Sequence, residues 1–162
     1  MVRISLQFKA NLENITNIRP EGDDFRWYLK VKCLNCGEET KQWVYLCAME
    51  SLPIKGSRGN ANYVSKCKLC GRENSIDIVK DSVKEYTADD SNQFKTMVTF
   101  DCRGVEPTAF SPRTGFVAEG AETTSKFTDI NLSDLDWSDY DEKAEASVGI
   151  YEVTSQFIKA HS

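Results

Sequence analysis

At 162 residues, with 40% hydrophobic and 28% charged side chains, the chain has the composition of an ordinary globular protein of one domain, or of two small units sharing a core. No apolar run approaches the ~20 residues of a membrane span, and Met1 to Gln7 alternate instead of forming the solid apolar stretch of a signal peptide. A formal net charge of −5 argues against nucleic-acid phosphates as the main partner.

Alternation with a period of two dominates the chain and predicts strands. Val2, Ile4, Leu6, Phe8, Ala10 and Leu12 share one face of a long first strand, with Arg3, Ser5, Gln7, Lys9 and Asn11 on the other. A turn is expected around Arg19 to Asp23, where Pro20 and Gly22 interrupt the pattern. The second strand places Phe25, Trp27, Leu29, Val31 and Cys33 inward and ends in Cys33-Leu34-Asn35-Cys36-Gly37. Trp43 to Cys47 is a further strand, and Ser51 to Asn60 is rich in breakers and is expected to be a loop. Tyr63 to Lys66 leads into Cys67-Lys68-Leu69-Cys70-Gly71, and Ser75 to Val79 leads out.

Phe94 to Cys102 is expected to turn Phe94, Thr96, Val98, Phe100 and Cys102 inward. It shares its ends and its alternation with Phe25 to Cys33, a faint sign of duplication into pseudo-repeats of about 1–74 and 75–162. A loop is expected from Pro107 through Gly115, a helical turn at Leu135 to Glu142, and a last strand from Ser147 to Ile158. No sustained helical stripe is present. The expected fold is all-β, sandwich-like or barrel-like.

The chemistry concentrates in two Cys-x-x-Cys pairs, each followed by Gly, with the thirty residues 37–66 between them. Two intervening residues let the backbone turn so that both sulfurs of a pair face one ion, and a glycine suits the positive φ needed to leave the turn. Two such knuckles provide the four thiolates of a tetrahedral zinc site, with Cys33, Cys36, Cys67 and Cys70 as ligands to one Zn²⁺. Rubredoxin-like iron is the chemical competitor. A site closed by four cysteines leaves no position for a reactive water, so the metal is expected to be structural. Ionising four thiols and adding one divalent ion moves the formal charge from −5 to −7, and Lys30, Lys32, Lys66, Lys68 and Arg72 are placed to offset it.

Other chemistry lacks its usual parts. A redox Cys-x-x-Cys normally opens a helix, whereas both pairs here follow strands. Cys47 and Cys102 fall within apolar strands and are expected in the core. The single histidine, His161, is next to the end of the chain, and Lys55 to Gly59 do not make a phosphate loop. The nine carboxylates in 119–145 show no catalytic pairing and are expected to form a solvated face. Lys55, Arg58 and Tyr63 with the knuckle lysines offer a small basic–aromatic surface, which global acidity counts against as a nucleic-acid site. Asn14-Ile15-Thr16 and Asn131-Leu132-Ser133 match a glycosylation sequon, which is accidental in a cytosolic protein.

Several segments resemble the eukaryotic CXXC-motif-containing zinc-binding protein family: Glu13-Asn14-Ile15-Thr16-Asn17, Arg19 through Leu29, Lys66 through Cys70, Arg72 through Ile76, Asp139 through Ala144, and Ser147 through Val153. The resemblance covers nearly the whole chain. It implies a compact all-β protein of two similar halves with one zinc, whose ligands map onto Cys33, Cys36, Cys67 and Cys70 without departure. It implies no enzymatic activity. The expectation is therefore a monomeric, cytoplasmic, non-enzymatic zinc protein that binds a protein partner, without membrane or nucleic-acid contacts. Intracellular metal handling is the alternative.

Overall fold

A computed structural model describes residues 2–56 and 59–160; Arg58 and His161 lie outside the described residues. β1 (Val2–Glu13) turns a corner at Asn14 into β2 (Ile15–Pro20), and β3 (Arg26–Cys33) runs into the first knuckle. β4 (Val44–Cys47), a minimal hairpin of β5 (Leu52–Pro53) and β6 (Asn60–Ala61), and β7 (Tyr63–Lys66) lead to the second knuckle, followed by β8 (Glu73–Ile78). After a 3₁₀ turn at Ala88–Asp90 come β9 (Lys95–Arg103), β10 (Val105–Ser111), β11 (Phe116–Gly120), β12 (Lys126–Ile130), β13 (Trp137–Asp141) and β14 (Ala146–Lys159).

The strands make a six-stranded sheet in the order β13-β14-β1-β9-β8-β7 and two three-stranded sheets, β10-β3-β4 and β12-β11-β2. All these pairings are antiparallel, as short connections allow. The sheets curl around one core, so the fold is all-β and sandwich-like. Ile4, Leu6, Phe8 and Ala10 point inward from β1, as the alternation requires, and Trp27, Leu29 and Val31 do so from β3. Edge-to-face rings tie the layers together: Trp27 meets Phe100 of β9 at 6.3 Å, and Phe25, next to β3, meets Phe116 of β11 at 5.0 Å. The outer face of the large sheet is a polar ladder, with Arg3 on Asp101 (2.9 Å), Ser5 on Thr99 (3.0 Å) and Gln156 donating to Gln7 (2.6 Å).

Five local expectations are corrected. Arg19 and Pro20 belong to β2, and the turn follows them. The segment from Pro107 to Gly115 is not one loop, because β10 runs to Ser111 and β11 begins at Phe116. Pro107 fits because β10 is an edge strand with a bulge between Pro107 and Ala109, so its missing N–H breaks no continuous ladder. Leu135 to Glu142 form no helical turn but lead through β13, an edge strand paired with β14. The Ser51 to Asn60 loop contains the β5 strand and part of β6.

Phe94 does not face inward. Leu6 pairs with Val98 and Gln7 with Thr96, which leaves Met97 as an extra residue. This bulge shifts the phase of the strand. Met97 is buried in place of Phe94, which is exposed under the Lys9 ammonium.

Strands from both expected pseudo-repeats share every sheet of three or more strands, and the 74/75 boundary falls inside β8. The duplication is not visible in this arrangement. Among the described residues, no helix is long and apolar enough to cross a membrane.

Candidate metal centre

The two knuckles have the same backbone design. The N–H of Gly37 donates to the carbonyl of Cys33 and that of Gly71 to the carbonyl of Cys67, each at 2.8 Å. One residue further on, the carbonyls of Glu38 and Arg72 accept from the N–H groups of Cys33 and Cys67, each at 2.9 Å. Gly37 and Gly71 have φ of 81° and 76°, the left-handed conformation that the sequence pattern requires there. Each knuckle is thus a tight cap on a hairpin: β3 pairs on through Lys32 and Glu39, and β7 pairs with β8.

These caps belong to different sheets, and they meet. The sulfurs of Cys33, Cys36, Cys67 and Cys70 all lie within 4.8 Å of one another. Cys33 Sγ is 3.7 Å from Cys70 Sγ, and Cys36 Sγ is 3.5 Å from Cys67 Sγ. Four thiolates at ~2.3 Å from a tetrahedral zinc stand about 3.8 Å apart, so the donor set fits one such ion. All six cysteines are free thiols. Cys33 is buried, Cys67 half-buried, and Cys36 and Cys70 are exposed, so the cluster is at the rim of the fold.

The local field is divided among the sulfurs. A hydrogen bond from the backbone N–H of Cys36 brings the Cys33 thiol down to about 6. The Asn35 side chain, followed by the Arg72 N–H, lowers Cys70. The Glu38 N–H favours a Cys36 thiolate, yet desolvation and the adjoining sulfurs of Cys67, Cys70 and Cys33 push that thiol up to about 12. Four adjoining sulfurs resist ionising together, and a divalent cation at their centre removes the conflict.

Two supports were not legible in the sequence. Gly104, between β9 and β10, has φ of 74°, and its carbonyl accepts the Leu34 N–H at 2.9 Å. The Asn74 amide, oriented with its nitrogen toward Gly104, donates to the same carbonyl at 3.0 Å and to that of Glu73 at 3.1 Å. The corner between two sheets therefore holds the first knuckle against β8. A glycine between two alternating runs was the available signal.

Of the five cations expected around the cluster, Lys32 pairs with Glu106 at 3.3 Å and Lys30 lies over Trp43 at 5.1 Å. Cys47 and Cys102 are buried away from the cluster, and burial pushes the Cys102 thiol up to about 12. The acidic segment is not wholly solvated. Asp141 is buried and accepts from Thr123 (2.6 Å), Ser125 (2.5 Å) and the Lys143 N–H (3.0 Å), closing the loop between β11 and β12.

The sequence profile of the family described as CXXC motif containing zinc binding protein, eukaryotic, matches residues 5–158. The human protein of that name is 60% identical over 98% of this chain and 99% of its own. A UPF0587 protein of Nematostella vectensis is 66% identical over the same shares. In structure, the chain is similar to the crystal structure of C1orf123, with a TM-score of 0.94, 59% identity and coverage of 98% and 99%. A hypothetical protein from Plasmodium falciparum has a TM-score of 0.87 at 27% identity, covering 98% of this chain and 100% of that one. With its paired knuckles and this match along almost its full length, the chain belongs to the eukaryotic CXXC-motif-containing zinc-binding protein family.

Proposed function

We propose that Cys33, Cys36, Cys67 and Cys70 hold one structural zinc ion and that the protein is a non-enzymatic module for binding another protein. The observation that supports this reading is the convergence of four sulfurs from two sheets within 4.8 Å. A metal there ties the end of β3 to the β7–β8 hairpin. Four thiolates fill a tetrahedron, so the ion has no open position for substrate or water. Zinc gives the knuckles their shape and charge.

Each knuckle also carries one exposed leucine, Leu34 at 47% and Leu69 at 68% exposure. Apolar side chains held on a rigid tip, next to exposed sulfur, suit contact with a partner protein better than contact with water. Zinc removal by a strong chelator, followed by hydrogen exchange, tests the reading. Protection is expected to fall at residues 33–39 and 67–73 while β1, β9 and β14 stay protected. Binding to any partner isolated with the zinc-loaded protein is expected to fall in a Cys33→Ser/Cys67→Ser variant. Unchanged exchange at the knuckles after metal removal would refute the clasp.

Metal handling is the second reading, supported by the exposure of Cys36 and Cys70, which an incoming thiolate can reach. Rapid exchange of the ion with a mild chelator, the fold intact, favours handling. Retention of the ion until unfolding favours the clasp.

A further inference from the structure

The outer face of the β10-β3-β4 sheet carries a run of rings and cations distinct from the sulfur cluster. The Arg113 guanidinium lies 3.8 Å from the Tyr28 ring centroid. Tyr28 stands opposite Tyr45 on the adjoining strand, their centroids 5.9 Å apart, and Arg26 lies 4.5 Å from the Tyr45 centroid. Two residues along β3 from Tyr28, Lys30 lies over Trp43 at 5.1 Å, and Trp43 is 38% exposed. Arg26, Tyr28 and Arg113 also line an open cleft of about 550 Å³.

Three features of this face point to a ligand. Arg26, Lys30 and Arg113 make no ion pair among the described residues, while adjoining Lys32 is paired with Glu106. The carboxylates nearest these cations, Glu21, Asp24 and Asp129 in the cleft and Glu50 beside Arg26, stay beyond ion-pair distance, so the three cations keep their pairing capacity in a chain of net charge −5. Each guanidinium is seated over a tyrosine ring, and although Arg113 Nε donates to Ser111 Oγ (3.3 Å) and Arg26 bonds to Tyr28, the remaining N–H groups of each fork can still donate to a carboxylate. Tyrosine, tryptophan and arginine are the residues that most often dominate binding energy at protein interfaces.

We infer that this face, with Arg26 and Arg113 as its anchors, docks an acidic segment of a partner protein. Nucleic acid fits it less well. A guanidinium already covers a face of each tyrosine and an ammonium covers a face of Trp43, which leaves little ring surface for bases to stack on. Glu21, Asp24 and Asp129 line the same cleft, and a backbone charged at every nucleotide cannot avoid them. A peptide with spaced carboxylates can place its charges at the arginines and uncharged residues at the rest. This inference does not depend on the metal, so it stands or falls separately from the clasp.

The test measures fluorescence anisotropy of zinc-loaded protein with a labelled peptide of about twelve residues alternating Glu and Ser, and with oligothymidylate of similar length. The peptide is expected to bind and the oligonucleotide to bind more weakly. R26A/R113A is expected to weaken the peptide roughly tenfold or more, as loss of two charge-assisted contacts implies. R26K/R113K keeps the charge, loses the fork, and is expected to weaken it severalfold. K55A/K84A, which removes the same charge from other surfaces, is expected to change it less than about twofold. Thermal melts confirm the fold of each variant, and R26K/R113K decides the matter if R26A/R113A is unstable. The inference is overturned by absence of peptide binding at millimolar concentration, by equal loss in K55A/K84A, or by tighter binding of the oligonucleotide. A self-dimer in sedimentation that R26A/R113A dissolves would also overturn it, assigning the face to a second copy.

Discussion

Replacing Gly104 with alanine tests how the fold positions the first knuckle. At φ of 74° an alanine meets the left-handed penalty of about 1–2 kcal/mol. A Cβ there would be 2.5 Å from the Asn74 amide and 3.2 Å from Arg72 Nε, so the amide must move. Moving it breaks its bonds to the carbonyls of Gly104 and Glu73, each worth about 1 kcal/mol. The expected loss is therefore about 3–4 kcal/mol. Gly37→Ala is the internal control, because φ there is 81° but nothing lies within 4 Å of the added Cβ, so only the penalty of about 1–2 kcal/mol applies. Urea denaturation of zinc-loaded protein separates the two, since a slope of about 1–3 kcal/mol/M turns a 2 kcal/mol difference into roughly a 1 M shift in midpoint. Because the Gly104 carbonyl also holds the Leu34 N–H, the G104A variant should lose metal to a competing chelator sooner than wild type. If G104A is no less stable than G37A, the corner does not support the knuckle as argued.

Tyr86→Phe should cost about 1–3 kcal/mol in chemical denaturation, because the buried hydroxyl receives the Ala10 N–H (3.2 Å) and faces the carbonyls of Asp90 (2.5 Å) and Gln93 (2.7 Å), which lose that partner. A loss near zero would mean that water replaces the hydroxyl. Acid should destabilise the fold through Asp141, whose carboxyl is held below its ordinary value by hydrogen bonds from Ser125 first and Thr123 second. Its contribution is complete above the unfolded-state pKa, near 3.9, and is lost as pH falls through the lower folded-state value. Melting temperature against pH should therefore fall less steeply at the acid end in Asp141→Asn than in wild type, and parallel curves would contradict the assignment.

The parts of the fold legible from sequence were those where one face of a strand is buried and its phase unbroken. β1 and β3 show this, since every second residue from Ile4 to Ala10 and from Trp27 to Cys33 is buried. The alternation failed at Met97, because a bulge changes phase without changing composition. β10, β11 and β13 were missed because they are short or lie at edges, where Pro107 and acidic residues are tolerated. That Cys33, Cys36, Cys67 and Cys70 come together was legible, since each knuckle is a local motif. What they meet was not: Gly104 and Asn74 reach the first knuckle through sheet topology, and the tyrosine–arginine face exists only because β3 and β4 pair in register.

Metal analysis of natively purified protein decides whether four sulfurs from two sheets enclose one zinc ion. One zinc per chain is expected, with Cys33, Cys36, Cys67 and Cys70 protected from alkylation until the ion is removed. Protein that carries no transition metal, or in which these four thiols alkylate freely with zinc bound elsewhere, would contradict it.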